Sequence, residues 1–215
     1  IEQYVKMAKK FSMKAIAVTD HDGVQAFPNA QKAGKDNGIK IIYGCELSMI
    51  DDDKDLKEAI YNPSDIKLAK ATYVVFDIET TGLSNRYDDI IEFGAVRYTS
   101  RFELLDEFNF FIKSDKKLSK FTLESSNITE EDVMSGKDIK TALKMIKEIF
   151  SDSIIVAHNA YFDYDFINEK LEENGMEKIK NPVIDTLPLA RFLFPDYKSY
   201  REESIAKNLG LSFSS

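Results

Sequence analysis

The chain has 215 residues, 43% hydrophobic and 31% charged, with a formal net charge of −8, a size that holds one large domain or one domain and part of another. The acidic balance argues against a protein that coats nucleic acid by bulk charge, yet suits an enzyme that gathers divalent metal in carboxylates. Cys45 is the only cysteine, which excludes a disulfide framework; with no secretion leader and no apolar run near the ~18 residues of a membrane span, a reducing, cytoplasmic setting is expected and no membrane partner.

In chain order, "IEQYVKMAKKF" places Ile1, Tyr4, Val5, Ala8 and Phe11 on one face at helical spacing. A strand over 15–18, a turn at "TDHDG", a helix over 27–35 and a strand over 39–43 follow. This βαβ alternation implies parallel strands. Residues 51–71 carry dense charge and a proline and read as a connector between a first block, 1–50, and a second, 72–215. Both ends of the chain fall beside helices without capping elements, the pattern expected of a piece of something longer.

The second block opens with "TYVVFDIE", "DIIEFGAVRY" and "LLDEFNFFIKS", joined by short spacers that predict an antiparallel meander. In "ITEEDV", Thr129 is a candidate N-cap with Asp132 three residues on, and "IKTALKMIKEIF" is amphipathic. The strand "SIIVA" leads into the helix of "HNAYFDYDFINEKLEENG", which is expected to stop at Gly175. A strand-like "NPVIDTL" and a closing helix "REESIAKNLG" complete an α/β domain. These signals give layers and leave the strand order open.

Two carboxylates carry the chemistry. Alternation along "TYVVFDIE" puts Tyr73, Val75, Asp77 and Glu79 on one face, with Asp77 and Glu79 roughly 7 Å apart. Tyr73 to Phe76 is apolar on both faces, as in a central strand. Like charges in a partly buried place need compensation, and no basic residue lies between Thr72 and Asn85; hard divalent cations would supply it. Thr80, Thr81 and Gly82 then turn the chain and offer hydroxyls and amides to a ligand. Spacing alone leaves open a solvated strand end. In "AHNAYFDYDFI", Asp163, Ile167 and Leu171 share a helix face, so Asp163 points inward while Asp165 does not. Asp163 is either a helix-start cap or a partner of the first pair.

The motifs "VFDIETTGLS", "IIEFGAV" and "VAHNAYFDYDFI" resemble the first two motifs of the DEDD superfamily of 3′–5′ exonucleases, whose fold is ribonuclease-H-like. The resemblance implies hydrolysis of 3′-terminal phosphodiester bonds with two Mg²⁺ ions, Mn²⁺ being an alternative. It implies that Asp77 bridges both ions, Glu79 holds the nucleophile-side ion and Asp163 the leaving-group ion. Thr80, Thr81, His158, Asn159 and Phe162 would line a single-stranded or frayed 3′ end of DNA. The family's third motif brings a fourth Asp and a His or Tyr base; no histidine follows His158, and the residues four beyond Tyr197 and Tyr200 are Arg201 and Ser204, which cannot be that ligand, so a chain cut before that motif, with little activity of its own, is expected. Asp185 could stand in as a ligand, but is read as a supporting or structural residue.

"KAIAVTDHDGVQAFPNA" with "GIKIIYGCE" resembles the middle of a PHP (polymerase and histidinol phosphatase) domain, which implies a partial divalent-metal site at Asp20, His21 and Glu46. A PHP segment running into a DEDD exonuclease resembles the PolC type of replicative DNA polymerase III alpha chain, with the rest of that chain and replisome subunits as partners. A catalytically silent nucleic-acid-binding or scaffolding module, and a stand-alone exoribonuclease, are the competing readings.

Overall fold

The computed structural model describes residues 1–47, 57–118, 122 and 128–212. The chain divides into two units, Ile1–Asp51 and Asp52–Ser215. In the first, α1 (Glu2–Lys10) precedes β1 (Ala15–His21), α2 (Phe27–Asn37) and β2 (Lys40–Glu46). The strands pair in parallel from Ala15↔Lys40 to His21↔Glu46, as the alternation predicts. Val5 and Ala8 of α1 close over Ala33 and Ile39 in a small core. Both strands run about three residues further than their apolar runs, because the ladder continues through Asp20 and His21.

The second unit is built on a six-stranded mixed sheet of order β3-β8-β7-β4-β5-β6. Its strands are β3 (Ile60–Tyr61), β4 (Thr72–Thr80), β5 (Ile90–Tyr98), β6 (Leu104–Phe111), β7 (Ser153–Ala157) and β8 (Val183–Asp185). β4, β5 and β6 form the expected antiparallel meander, while β7 pairs in parallel with both β4 and β8. The residues read as a connector, 51–71, are partly sheet: Ile60–Tyr61 pairs with Val183–Ile184. Of regular structure, residues 62–71 hold only a single 3-10 turn, Leu68–Lys70, before β4 starts at Thr72, and 51–56 lie outside the described residues.

Among the helices, α3 (Glu130–Ser135) starts at Thr129, whose side chain and that of Asp132 cap reciprocally. Asp138 caps α4 (Ile139–Phe150), and α5 (Ala160–Glu173) ends just before Gly175, which takes φ 69°. The sequence reading missed α6 (Thr186–Leu193), where Pro188 sits in the first turn, a place a proline tolerates. α7 (Glu202–Asn208) closes the unit.

One face of the sheet makes the core. Val74, Phe76 and Ile78 of β4 pack with Phe93, with Leu143, Ile146 and Phe150 of α4, and with Phe166, Ile167 and Leu171 of α5. The Phe150 ring stands 4.8 Å from Phe76 and 5.7 Å from Phe93, both edge to face, geometries that aromatic pairs favour. The opposite face departs from expectation. Tyr73 is covered by the Phe102 ring at 5.8 Å, but Val75 is 43% exposed, so apolar residues on both faces do not mean that both are buried. That face forms an open cleft of about 720 Å³. Replacing Ile146, which is fully buried, by Ala is expected to cost about 2–5 kcal/mol. Val75→Ala on the open face should cost under about 1 kcal/mol; equal costs in urea unfolding would contradict this assignment of faces.

Candidate active site

β4 is the strand where the sheet changes direction of growth, with an antiparallel neighbour on one side and a parallel one on the other. Ligand crevices form at such switch points, outside the carboxyl ends of the strands. Parallel pairing brings the ends of β4 and β7 to the same edge, so Asp77 and Glu79 meet the turn at His158 and Asn159. The cleft is lined by Asp77, His158, Thr186 and Glu202 together with sheet residues that include Gly94. Gly94 is the cross-strand partner of Asp77, and a Cβ there would meet nothing within 4 Å. A side chain at that position would project into open cleft beside the carboxylate.

Asp163 is 4% exposed, on the inward face of α5 with Ile167 and Leu171, as its spacing predicts. Burial raises its pKa to about 8, and repulsion from Asp77 adds to the rise. The backbone N–H of Ile78 acts on both carboxyls and stabilises their charged forms. Asp163 therefore lies against the strand end that carries the first pair, beyond any helix-capping role. Asp77 is open to water at the cleft mouth but crowded by protein. Burial raises its pKa to about 6, with a further push from Glu202 and a smaller one from Glu92. Glu79 is half-buried; burial again raises its pKa, followed by the charges of Asp77 and Glu92. Its cross-strand partner is Glu92, whose Oε1 accepts a hydrogen bond from the Asn109 amide at 2.9 Å.

Asp77 is thus the common neighbour of two other carboxylates. The donor set is all oxygen, negatively charged and partly desolvated, which fits a hard divalent cation such as Mg²⁺. It is not a closed cage: among the described residues, no group of three His, Cys, Asp or Glu side chains converges on one point. An ion there would take its remaining ligands from water or from a bound phosphate.

The turn after β4 is held from within. A β-bulge separates Glu79 from Thr80, and the Thr80 hydroxyl donates to Gly82 O at 2.7 Å. Thr81 is buried; its hydroxyl donates to Asp88 Oδ1 at 3.3 Å and accepts from Asp89 N at 3.0 Å. Asp88 also accepts from Ser84 N at 2.9 Å. Asp89 is fixed in turn by Lys116 at 2.9 Å and Ser114 at 2.7 Å, with the buried Lys170 of α5 3.9 Å away. Burial pushes the Asp89 carboxyl up, but these partners outweigh it and hold it below the usual range. The hydroxyls of Thr80 and Thr81, expected to face a ligand, are therefore occupied in building the turn.

His158 joins Asp77 in the cleft, whereas Asn159 and Phe162 do not line it. The Phe162 ring packs at 5.3 Å from Phe166 instead, and Asn159 takes the left-handed conformation at φ 60°, ψ 43°. Asp165 points away from Asp163 and pairs with Asn85. Thr186, Glu202 and Gly94 went unread in the sequence; only Gly94 carried a signal, as a glycine inside a strand.

In the first unit the strand register brings His21 beside Glu46. His21 stands 3.2 Å from Glu46 Oε1 through Nδ1 and 3.2 Å from Asp22 Oδ2 through Nε2. Asp20 Oδ2 accepts the N–H of Ala26 at 2.6 Å, ahead of α2. Asp20, His21 and Glu46 are thus near one another, with Asp20 serving the local fold and both His21 nitrogens facing carboxylates.

Residues 74–215 match the family model described as Exonuclease. The chain is 45% identical over 207 residues to a protein named DNA polymerase III PolC-type from Latilactobacillus sakei, covering 96% of this chain and 14% of that protein. It is 44% identical over 200 residues to the protein of the same name from Streptococcus sanguinis, covering 93% of this chain and 13% of that one. The chain therefore spans about 14% of the length of the curated relatives it matches. Among solved structures, Escherichia coli exonuclease I in complex with a dT13 oligonucleotide superposes with a TM-score of 0.61 at 21% identity, over 67% of this chain and 37% of that one. A product-bound exonuclease I structure gives a TM-score of 0.62 at 21% identity, over 68% and 40%. At such identities these structures bear out the expected ribonuclease-H-like exonuclease fold.

The pKa values fix a sign for stability. Asp163 binds its proton up to about pH 8 when folded, against a reference value of 3.8, so between these limits the folded chain holds the extra proton. In metal-free buffer, stability is expected to fall as pH rises from about 4 to about 8, by on the order of a few kcal/mol. Asp163→Asn should flatten that slope and melt higher than the wild type at the alkaline end. A slope unchanged by the substitution, in thermal melts across the range, would contradict the burial of an uncompensated charge.

Proposed function

The chain belongs to the exonuclease family, and from that premise we propose that its second unit removes nucleotides from the 3′ end of DNA, as the proofreading nuclease of a longer replicative polymerase of the PolC type. The observation that carries this reading is the buried Asp163 carboxyl set against Asp77, with no cation paired to either among the described residues. Such an arrangement costs stability unless the site binds positive charge. Asp77, Glu79 and Asp163 would hold two divalent ions, Mg²⁺ or Mn²⁺, which when bound polarise the scissile phosphate and acidify a water. The chain's own residues would do the rest. Asp77 faces the cleft from the central strand, Glu79 follows two residues on along that strand, Asp163 is buried in the packing of α5, and His158 borders the same opening.

The cleft sets apolar sheet residues beside its carboxylates. A single-stranded end can lie there with its bases against apolar surface and its phosphate toward the metals, which suits a substrate taken without regard to sequence. The PolC-type relatives favour DNA over RNA and a polymerase context over a stand-alone exoribonuclease. In this reading the first unit is a PHP-like segment whose partial site at Asp20, His21 and Glu46 binds metal weakly, since Asp20 already holds the N–H of Ala26 and His21 already faces Glu46.

The test uses the full natural chain that carries these residues. Release of 3′-terminal mononucleotides from single-stranded DNA should require Mg²⁺ or Mn²⁺ and stop with a chelator. Asp77→Ala and Asp163→Ala should each lower it at least about a hundredfold, while thermal melts remain cooperative. Undiminished release by either variant would contradict the proposal. DNA binding without any hydrolysis would favour the silent-module reading, and faster digestion of RNA the exoribonuclease reading.

A further inference from the structure

β8 ends at Asp185, paired with Ala157 of β7, so the residues that follow, Thr186 and His158, leave the sheet side by side. Asp185 is 3% exposed and fully engaged. Its Oδ1 accepts the N–H groups of Asn159 and Leu187, each at 2.9 Å, and its Oδ2 accepts the Tyr61 hydroxyl at 3.2 Å. This grip holds Asn159 in a left-handed conformation, one that Asn adopts more readily than most non-glycine residues. The turn presenting His158 is therefore tied down by the end of β8.

Thr186 supplies the second half of the device. Its hydroxyl donates to Ala157 O at 3.3 Å and stands 2.9 Å from Nδ1 of His158. A hydroxyl has one proton; with that proton given to the carbonyl, the contact to Nδ1 requires the hydrogen on the ring nitrogen. We propose that Thr186 is a positioning residue that locks His158 in the Nδ1–H tautomer, leaving the Nε2 lone pair for the cleft as acceptor of a hydrogen bond from the hydroxyl at the 3′ end of a nucleotide strand. The identity of that hydroxyl rests on the exonuclease reading; the tautomer does not.

The arrangement is chemically consistent with the neighbouring carboxylates. Asp77 and His158 line one cleft and lie close enough for their charges to interact. An Nε2–H would offer Asp77 a donor and compete with a cation for it, whereas an Nε2 lone pair cannot. Asp77 and Glu202, when ionised, are likewise acceptors only. A ligand that brings a donor hydroxyl into this part of the cleft therefore finds acceptors alone, and its hydroxyl proton selects it.

The chain has only two histidines, His21 and His158, so imidazole ¹⁵N–¹H correlation spectra, recorded well above the ordinary imidazole pKa, resolve the question directly. His158→Gln assigns the signals. The expected result is a protonated Nδ1 and an unprotonated Nε2 at His158, lost in Thr186→Val and restored in Thr186→Ser. A protonated Nε2 in the wild type overturns the proposal, as does a tautomer unaffected by Thr186→Val; the wild-type spectrum decides even if that variant fails to fold. In the full natural chain, Thr186→Val should raise KM for strands ending in a 3′-hydroxyl by about three- to tenfold and leave 3′-deoxy ends nearly unchanged. Equal effects on both ends overturn the assignment of the donor. Failure of the full natural chain to hydrolyse any DNA would instead defeat the exonuclease reading, with the tautomer result standing apart from it.

Discussion

The second unit depends on one unfavourable contact, the Asp163 carboxyl held in the core against Asp77. Removing a carboxylate from water and placing it near another is costly unless charge of the opposite sign is supplied. The Ile78 N–H relieves only part of that cost, and among the described residues no lysine or arginine is set against either carboxyl. Lys170, the nearest buried cation on the same helix, is directed instead to Glu173 at 2.9 Å and toward Asp89. The fold thus separates its charges by role, with lysines fixing the turn after β4 and the carboxylates left uncompensated at the cleft.

That separation leaves packing and polar networks free to support the site. β4 is anchored on one face by Phe76, Ile78 and their aromatic neighbours, so its other face can stay open without losing register. The turn beyond Glu79 is tied by Asp88 and Asp89, and the turn before α5 by Asp185 and Thr186. Each carboxylate that would hold an ion is therefore carried by a strand or helix, with loop geometry set by separate polar networks. Sites built on regular elements and supported by a surrounding shell hold their geometry more closely than sites on free loops.

Much of this was legible from local patterns. The meander, the reciprocal cap of Thr129 and Asp132, and the shared face of Asp163, Ile167 and Leu171 follow from periods of 2 and 3.6 and from cap chemistry. What could not be read depends on contacts between distant segments. β3 is two residues long and exists because β8 offers an edge. α6 hides behind Pro188 in a stretch that opens like a strand. Thr81 reads as a ligand-facing hydroxyl until Asp88 and Asp89 fold back upon it. Thr186 is unremarkable in sequence and gains meaning only where the β7–β8 register brings it to His158.

The proposed function stands or falls on whether Asp77 and Asp163 share divalent metal. Diffraction from crystals grown with Mn²⁺ and a nucleoside 5′-monophosphate, recorded at the manganese edge, measures this most directly. The account predicts an anomalous peak at the mouth of the cleft, at about 2.1 Å from oxygen atoms of both carboxylates. A fully occupied manganese elsewhere on the chain, with the Asp77 and Asp163 oxygens bound only to water or protein, would contradict it.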